Sequence, residues 1–152
     1  MNGIGLSYTL TPHPLFHEAQ MNPASVNEMW KGLLAEYLGM RFVETGPDCV
    51  VAELEIQDHL RTVRGTLHGG TLMALADATG GTAALINLRE GEATATIESK
   101  TNFFAAGRSG KVRAEATPLH KGRSTTVWQT RITDESGKLL SLTIQTQAVL
   151  KK

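Results

Sequence analysis

The chain has 152 residues, enough for one ordinary domain with a sizeable buried core. Its 15 basic and 15 acidic residues balance, so its charge gives no reason to expect nucleic acid or an anionic membrane as a partner. The single cysteine, Cys49, cannot form an internal disulfide, and residues 1–20 lack the pattern of a secretory signal. No apolar stretch is long enough for a membrane span without interruption by Gly, Thr or a charge. We therefore predict a cytoplasmic protein that binds neither nucleic acid nor membranes.

Residues 1–38 are predicted to form an N-terminal arm and a short helix within the same domain as residues 39–152. Irregular backbone in the arm is predicted by its prolines, Pro12, Pro14 and Pro23. Asn22 is a common helix N-cap residue and indicates where the helix starts. Apolar residues at helical spacing then predict one helix near residues 26–38, namely Met29, Leu33, Leu34 and Leu38.

The rest of the chain has the pattern of a sheet around one long helix. Alternating apolar and polar residues at 50–57 predict a half-buried strand, one of one or two strands before the helix. A long, strongly apolar helix is predicted from residue 69 to residue 88. Four more strands are expected near residues 93–104, 110–119, 124–134 and 139–150. This order predicts an α+β fold in which an antiparallel β-sheet wraps around a long central α-helix.

Asp77 is the only acidic residue in the apolar stretch 72–88. We expect a helix this apolar to be buried, and an unpaired buried carboxylate is costly unless the protein uses it. No basic residue lies within one helical turn of it. Asp77 is therefore predicted to carry chemistry. The alternatives are an ion pair with a distant Arg or Lys, or an exposed position.

Gly69 and Gly70 open the long helix, where the backbone N–H groups are unpaired and the helix dipole is positive. Glycine lets a ligand approach these amides closely, which suits a carbonyl oxygen that becomes an oxyanion. Gly70 and Asp77 are about 10 Å apart along the helix axis, at ~1.5 Å per residue. One ester carbonyl cannot reach both. If both serve one reaction, they come from different subunits across a two-fold interface.

The sequence His68-Gly69-Gly70, the acid at Asp77, the wrapping strands and the segment Pro118-Leu119-His120-Lys121-Gly122-Arg123 together resemble the hotdog-fold acyl-CoA thioesterases. The resemblance runs from about Gly39 to Leu150. It is strongest to the phenylacetate-degradation thioesterases and to the proofreading thioesterases of siderophore and menaquinone pathways. It implies hydrolysis of acyl-CoA thioesters to free acid and coenzyme A.

The resemblance also implies roles for individual residues. The Gly70 amide would polarise the thioester carbonyl, beside Gly69 in the same turn. Asp77 of the second subunit would act as nucleophile or as general base. His68 would orient the loop or contact the carbonyl, and Thr96 would help to position water.

Further binding roles and an assembly follow from the same resemblance. Lys121 and Arg123 are the expected cations for the coenzyme A phosphates, with Arg108 as a third candidate. The assembly is expected to be a homo-oligomer, a dimer or a dimer of dimers, with its active site across the subunit interface. The acyl group is expected between the two central helices, near residues such as Leu72, Met73 and Phe103.

Two positions depart from the family pattern. The family usually has Asn or Gln six residues before the histidine, where its amide binds the carbonyl, and this chain has Thr62. Gly81 stands where some relatives have a serine. Either Gly70 holds the carbonyl alone, or a neighbour substitutes for the amide, or catalysis is slow. A non-catalytic acyl-CoA-binding module of the same fold is therefore the alternative function.

We predict neither a metal nor a cofactor. His13 and His17 are four residues apart, as helical metal ligands are, but Pro14 lies between them and no third ligand is evident. A hotdog hydratase would need a differently spaced Asp and His pair, and the sequence shows no such pair.

Overall fold

The structure is a computed structural model that describes residues 21–151. The predicted arm over residues 1–20, with His13 and His17, lies outside the described residues. Within the described part, no helix is both long and apolar enough to cross a membrane. The assignment of residues 1–38 and 39–152 to one domain stays a prediction.

The described residues form one six-stranded antiparallel sheet and one long helix. The helices are α1 (Pro23–Met29), α2 (Leu34–Tyr37) and α3 (Gly69–Ile86), with a short 3-10 turn at Asp58–Leu60. The strands are β1 (Met40–Thr45), β2 (Val50–Glu55), β3 (Glu92–Phe103), β4 (Lys111–Lys121), β5 (Thr125–Asp134) and β6 (Leu139–Lys151). Their order across the sheet is β1-β2-β4-β5-β6-β3, and α3 packs against it. This confirms the predicted α+β architecture.

The single helix predicted near residues 26–38 is wrong, because the structure has two short helices there. Gly32 lies between them with a φ of +70°, a left-handed conformation that stops an α-helix. Apolar spacing alone does not reveal such a break. Asn22 does cap α1, since its Oδ1 accepts from the backbone N–H of Ser25 at 3.0 Å.

Helix α3 is buried on one side only, so the expectation that Asp77 sits on a wholly buried helix is wrong. Leu75 and Ala76 are fully buried, whereas Met73 is 41 % exposed and Asp77 is exposed as well. The exposed positions Gly70, Met73 and Asp77 are three and four residues apart, so they form one stripe along the helix. In one protomer this stripe faces solvent.

The face of β6 that lies under α3 is polar. Its residues alternate between complete and partial burial, and the buried set is Ser141, Thr143, Gln145 and Gln147. The apolar residues Leu142 and Ile144 lie on the opposite, half-buried face of the strand. Polar residues normally take the wetter face of such a strand, so this inversion indicates that the buried side chains have a purpose.

Candidate active site

His68 is the N-cap residue of α3. Its backbone is extended, with φ −67° and ψ 137°, and its N–H donates to the carbonyl oxygen of Leu60 at 2.9 Å. Its ring Nδ1 accepts from the backbone N–H of Gly70 at 2.8 Å. His68 therefore orders the first turn of the helix. The Gly70 amide, predicted to meet the substrate, is bound to His68 in this conformation.

Gly69 supplies the other glycine amide of the first turn. Its N–H has no acceptor among residues 21–151, as expected for the first residue of a helix. A Cβ at this position would lie 3.3 Å from the ring of Phe103, so a side chain here would crowd the aromatic ring. Gly69 therefore presents the one unengaged glycine amide at the start of α3 in the described chain.

Thr62 belongs to a tight hairpin that leads into this turn. Its hydroxyl lies 3.1 Å from that of Thr66 and accepts from the backbone N–H of Arg64 at 3.2 Å. Its backbone N–H donates to the carbonyl oxygen of Thr66 at 2.7 Å. The hydroxyl of Thr62, the substrate-binding candidate at the position of the family amide, thus stabilises the hairpin in this structure.

The Asp77 carboxylate is held from the sheet side through one oxygen. Oδ1 accepts from Nε2 of Gln145 at 2.5 Å and from the hydroxyl of Thr96 at 3.4 Å. None of the residues 21–151 donates to Oδ2. One oxygen is therefore fixed by neutral donors while the other is open for chemistry.

The surroundings of Asp77 change its acidity. Partial shielding from solvent raises the pKa of Asp77 above its ordinary value, because desolvation disfavours the charged form. The hydrogen bond from Thr96 acts in the opposite direction and lowers this pKa. Within the described chain no cation forms a salt bridge with Asp77, which excludes the structural ion pair considered as an alternative. A raised pKa is what a general base needs.

A chain of hydrogen bonds leads to this carboxylate along the sheet. The Thr94 hydroxyl lies 3.1 Å from Oε1 of Gln147, whose Nε2 donates to the Thr96 hydroxyl at 2.9 Å. Because Thr96 accepts from Gln147, its own hydrogen is available for Oδ1 of Asp77. Thr96, predicted to position water, therefore contacts the catalytic candidate directly.

The predicted phosphate-binding cations lie farther away, around the β4–β5 turn. Lys121 donates to Oδ1 of Asp48 at 2.6 Å and lies 5.5 Å from the centre of the Trp128 ring. One row of paired residues crosses the sheet and consists of Lys121, Thr126, Gln147 and Thr96. Lys121 and Thr96 are therefore three strand spacings of about 4.8 Å each apart. Arg123 is exposed and forms no salt bridge in the described chain.

The structure does not bring the first turn and Asp77 together within one protomer. Seven residues of continuous helix separate Gly70 from Asp77, about 10 Å along the axis. Leu72, predicted to line the acyl site, is buried against the sheet, whereas Met73 and Phe103 are 41 % and 51 % exposed. Over residues 21–151 no three His, Cys, Asp or Glu side chains cluster in a way that could hold a metal ion.

Gln145 and Gln147 are the site residues that the sequence did not reveal. Both lie in a regular polar and apolar alternation, which we interpreted only as two faces of a strand. The available signal was the size and polarity of two glutamines on the face shared with Ser141 and Thr143. Nothing in the sequence connected that face to Asp77.

Comparison with known proteins matches residues 64–141, half of the chain, to the model of the "Thioesterase superfamily". A 1,4-dihydroxy-2-naphthoyl-CoA hydrolase of Escherichia coli is 31% identical over 126 residues, 83% of this chain and 93% of the relative. The crystal structure of a Haemophilus influenzae thioesterase superposes with a TM-score of 0.83 at 31% identity, covering 86% of this chain and 91% of that one. The Escherichia coli protein from the phenylacetic acid degradation operon, at 21% identity and a TM-score of 0.75, shares the fold over 82% of this chain and 89% of its own.

Proposed function

The chain belongs to the thioesterase superfamily and is a thioester hydrolase with the hotdog fold, and from that premise we propose that it hydrolyses acyl-CoA thioesters with Asp77 as the catalytic carboxylate. The observation that carries this proposal is the state of that side chain. Its Oδ1 is fixed by Gln145 and Thr96, and among residues 21–151 nothing donates to its Oδ2 and no cation forms a salt bridge with it. The 1,4-dihydroxy-2-naphthoyl-CoA hydrolase of Escherichia coli is named for the hydrolysis of an aromatic acyl-CoA, which supports acyl-CoA as the substrate class.

In the proposed reaction the thioester carbonyl lies against the first turn of α3. The Gly69 amide is available to donate to the carbonyl oxygen, and the Gly70 amide becomes available when the His68 ring turns away. Both amides would strengthen their hydrogen bonds as the oxygen becomes negative. His68 thus orders the turn and controls access to the second amide.

Asp77 then activates water. It takes a proton from water, the resulting hydroxide attacks the carbonyl carbon, and a tetrahedral oxyanion forms. When this intermediate collapses, the carbon–sulfur bond breaks and the departing coenzyme A thiolate takes the proton from Asp77. The other possibility is direct attack by Asp77 on the carbonyl carbon, which breaks the carbon–sulfur bond, releases the coenzyme A thiolate and forms a mixed anhydride that water hydrolyses. Single turnover in ¹⁸O-water distinguishes the general-base route from an anhydride that water opens at its aspartyl carbonyl, because the first acid product then carries an unlabelled oxygen from Asp77.

We propose that two copies of the chain share each site. Within one protomer the first turn and Asp77 lie too far apart for one carbonyl. The edge strand β3 and the exposed stripe of α3 offer a surface for a second copy, since Ile97 is 62 % exposed and Phe103 is 51 % exposed. An unpaired edge strand readily pairs with another chain. Dimer or dimer of dimers is decided by sedimentation velocity.

The acyl group would lie between the two α3 helices of this assembly. Met73, on the helix itself, and Phe103, close to the first turn of α3, are exposed apolar side chains on that surface. Lys121 and Arg123 are proposed to bind the coenzyme A phosphates, which requires Lys121 to exchange Asp48 for a phosphate.

The first experiment measures release of free coenzyme A from short, medium, long and aromatic acyl-CoAs by the wild type and by Asp77→Asn. We expect turnover by the wild type and a loss of about 10²–10⁴-fold in the variant, the usual contribution of a general base. An unaffected variant would contradict the assignment of Asp77.

A second candidate function is non-catalytic acyl-CoA binding. It is favoured by one observation, that the Thr62 hydroxyl is engaged within its own hairpin. Calorimetry with the same acyl-CoAs tests it. Tight binding without turnover by the wild type would replace the hydrolase proposal by this one.

A further inference from the structure

We propose that Gln145 is a positioning residue for Asp77, fixing one carboxylate oxygen so that the other faces the reacting water. This inference rests on the proposed function, because it assigns Asp77 its orientation for that chemistry. It concerns a side chain on β6, which lies beside the edge strand β3 in the sheet and outside the helix that carries the acid. Its contacts provide the evidence.

The geometry of the contact is specific. Gln145 is 0 % exposed, and its Nε2 lies 2.5 Å from Oδ1 of Asp77. The same nitrogen lies 3.4 Å from the Thr96 hydroxyl, which also contacts Oδ1. An ionised carboxylate can only accept, so the amide nitrogen must face it. Both donors converge on one oxygen, and this leaves Oδ2 with its lone pairs free.

The burial of Gln145 needs such a purpose. A buried amide is costly unless its polar atoms are paired, and Oε1 of Gln145 has no partner in the described chain. An apolar side chain at this place would remove that cost. Packing therefore does not explain the glutamine, whereas a requirement to hold Asp77 does.

Helix α3 makes room for this side chain. A Cβ at Gly80 would overlap with Oε1 of Gln145, so only glycine lets the amide lie between helix and sheet. Glycine inside a helix lowers its stability by about 1 kcal/mol relative to alanine. Gln145, with its unsatisfied buried amide oxygen, and Gly80, a glycine inside a helix, are both unfavourable for stability. Both thus serve the same contact with Asp77.

A neutral amide also suits the chemistry better than a cation would. Arg or Lys at this distance would lower the pKa of Asp77 strongly and weaken it as a base. The amide donor favours the ionised form more gently and fixes the orientation of the carboxyl group. Gln145 would thus hold Asp77 ionised and still basic.

The test compares Gln145→Met, which keeps length and volume without a donor, with Thr143→Val as the matched control. Thr143 is buried on the same face of β6 two residues earlier, and its hydroxyl pairs with Thr101, not with Asp77. The first readout is the pKa of the Asp77 carboxyl by ¹³C NMR titration, with its signal assigned by its absence in Asp77→Asn. The second is kcat and KM as functions of pH.

We expect Gln145→Met to raise the pKa of Asp77 by about one unit and to lower kcat about tenfold with little change in KM, the effect of one lost hydrogen bond to a charged group. Thr143→Val should change neither quantity. An unchanged carboxyl titration in Gln145→Met would overturn the inference. The titration needs no turnover, so failure of the proposed hydrolase activity is recognised separately.

A second variant tests the same inference in case Gln145→Met does not fold. Gln145→Asn keeps an amide but is shorter by one methylene, so it no longer reaches Oδ1. We expect the same upward movement of the Asp77 pKa. A folded Gln145→Asn protein with the wild-type titration and wild-type kcat would overturn the inference as well.

Discussion

Gly80 and Gln145 share one space between α3 and the sheet. A methyl group at Gly80 would overlap with Oε1 of Gln145 and lie 3.3 Å from the Thr130 hydroxyl. We therefore expect Gly80→Ala to push the amide away from Asp77. The free energy of unfolding should fall by about 1–3 kcal/mol, the usual cost of overpacking a core, and kcat should fall with it. Thermal unfolding and coenzyme A release measure the two effects.

Gly81→Ala is the matched control for this prediction. A Cβ at Gly81 would have its nearest neighbour at 3.9 Å, the Nε2 of Gln147, an ordinary contact. Alanine there gains helix propensity, so the thermal midpoint should be maintained or rise. Equal thermal midpoints of Gly80→Ala and Gly81→Ala would show that the space shared by Gly80 and Gln145 does not contribute to stability.

The acidic limb of kcat/KM should report the ionisation of Asp77. As the proposed catalytic base, Asp77 would act in its charged form, so the rate should fall as the pH drops through its pKa, which desolvation raises above the ordinary value. Thr96→Val removes a donor that favours the charged form, and the limb should move to still higher pH. Thr94→Val, which loses bonds to Gln147 and Ala148 but none to Asp77, is the control. A limb at the same pH in Thr96→Val and wild type would contradict this assignment.

The same raised pKa predicts how stability depends on pH. The folded chain holds the Asp77 proton more tightly than the unfolded chain. The contribution of this group to the free energy of unfolding is therefore lost as the pH rises through its folded-state pKa. Asp77→Asn cannot ionise. Its thermal midpoint should therefore exceed that of the wild type at neutral pH, and the difference should shrink as the pH falls below the ordinary range of aspartate.

The amide of Gly69 can be removed without a cavity. Proline is tolerated at the first helical position, and His68 before it already has the extended backbone that a following proline requires, with ψ 137°. Gly69→Pro should thus fold and lose one oxyanion donor, lowering kcat about 10²–10³-fold. Gly69→Ala keeps the N–H and adds similar crowding against Phe103, which makes it the control. Equal losses in both variants would point to crowding and not to the amide.

Much of the fold was predictable because period-2 and helical patterns are local. The four later strands lie within two residues of their predicted limits, and α3 begins at Gly69 as expected. The break at Gly32 was missed because a left-handed φ leaves no trace in apolar spacing. In the site, Asp77 was recognisable as the only acid in an apolar stretch. Gln145 was not recognisable, because an alternating pattern does not say which face of β6 lies under α3. That choice depends on the distant contact with Asp77.

Lys121 offers a test of coenzyme A binding. Its pair with Asp48 is exposed, because the two side chains retain 33 % and 78 % of their accessible surface. Exposed pairs contribute about 0–1 kcal/mol, so a phosphate can displace Asp48 easily. Lys121→Met should raise KM for acyl-CoA, and Asp48→Asn should lower it by freeing the lysine. Parallel effects of the two substitutions on KM would indicate that the pair is structural only.

Mixing two inactive variants tests the shared site. In a two-fold dimer with a shared site, Asp77→Asn supplies an intact first turn and Gly69→Pro supplies an intact acid, so each mixed dimer has one complete site and one doubly defective site. Co-expressed chains with different affinity tags should therefore regain, in the purified mixed dimer, about half of the wild-type activity per dimer. A site built within one protomer predicts no recovery, because every mixed dimer would then hold two defective sites. Asp77→Asn co-expressed with Gln145→Met tests a separate point, namely that Gln145 acts on Asp77 of its own chain. Because Gln145 contacts Asp77 of its own chain, the single Asp77 in that mixed dimer still has the methionine beside it. The activity per dimer should therefore stay well below that of the mixed dimer of Asp77→Asn with Gly69→Pro, which also has a single intact acid.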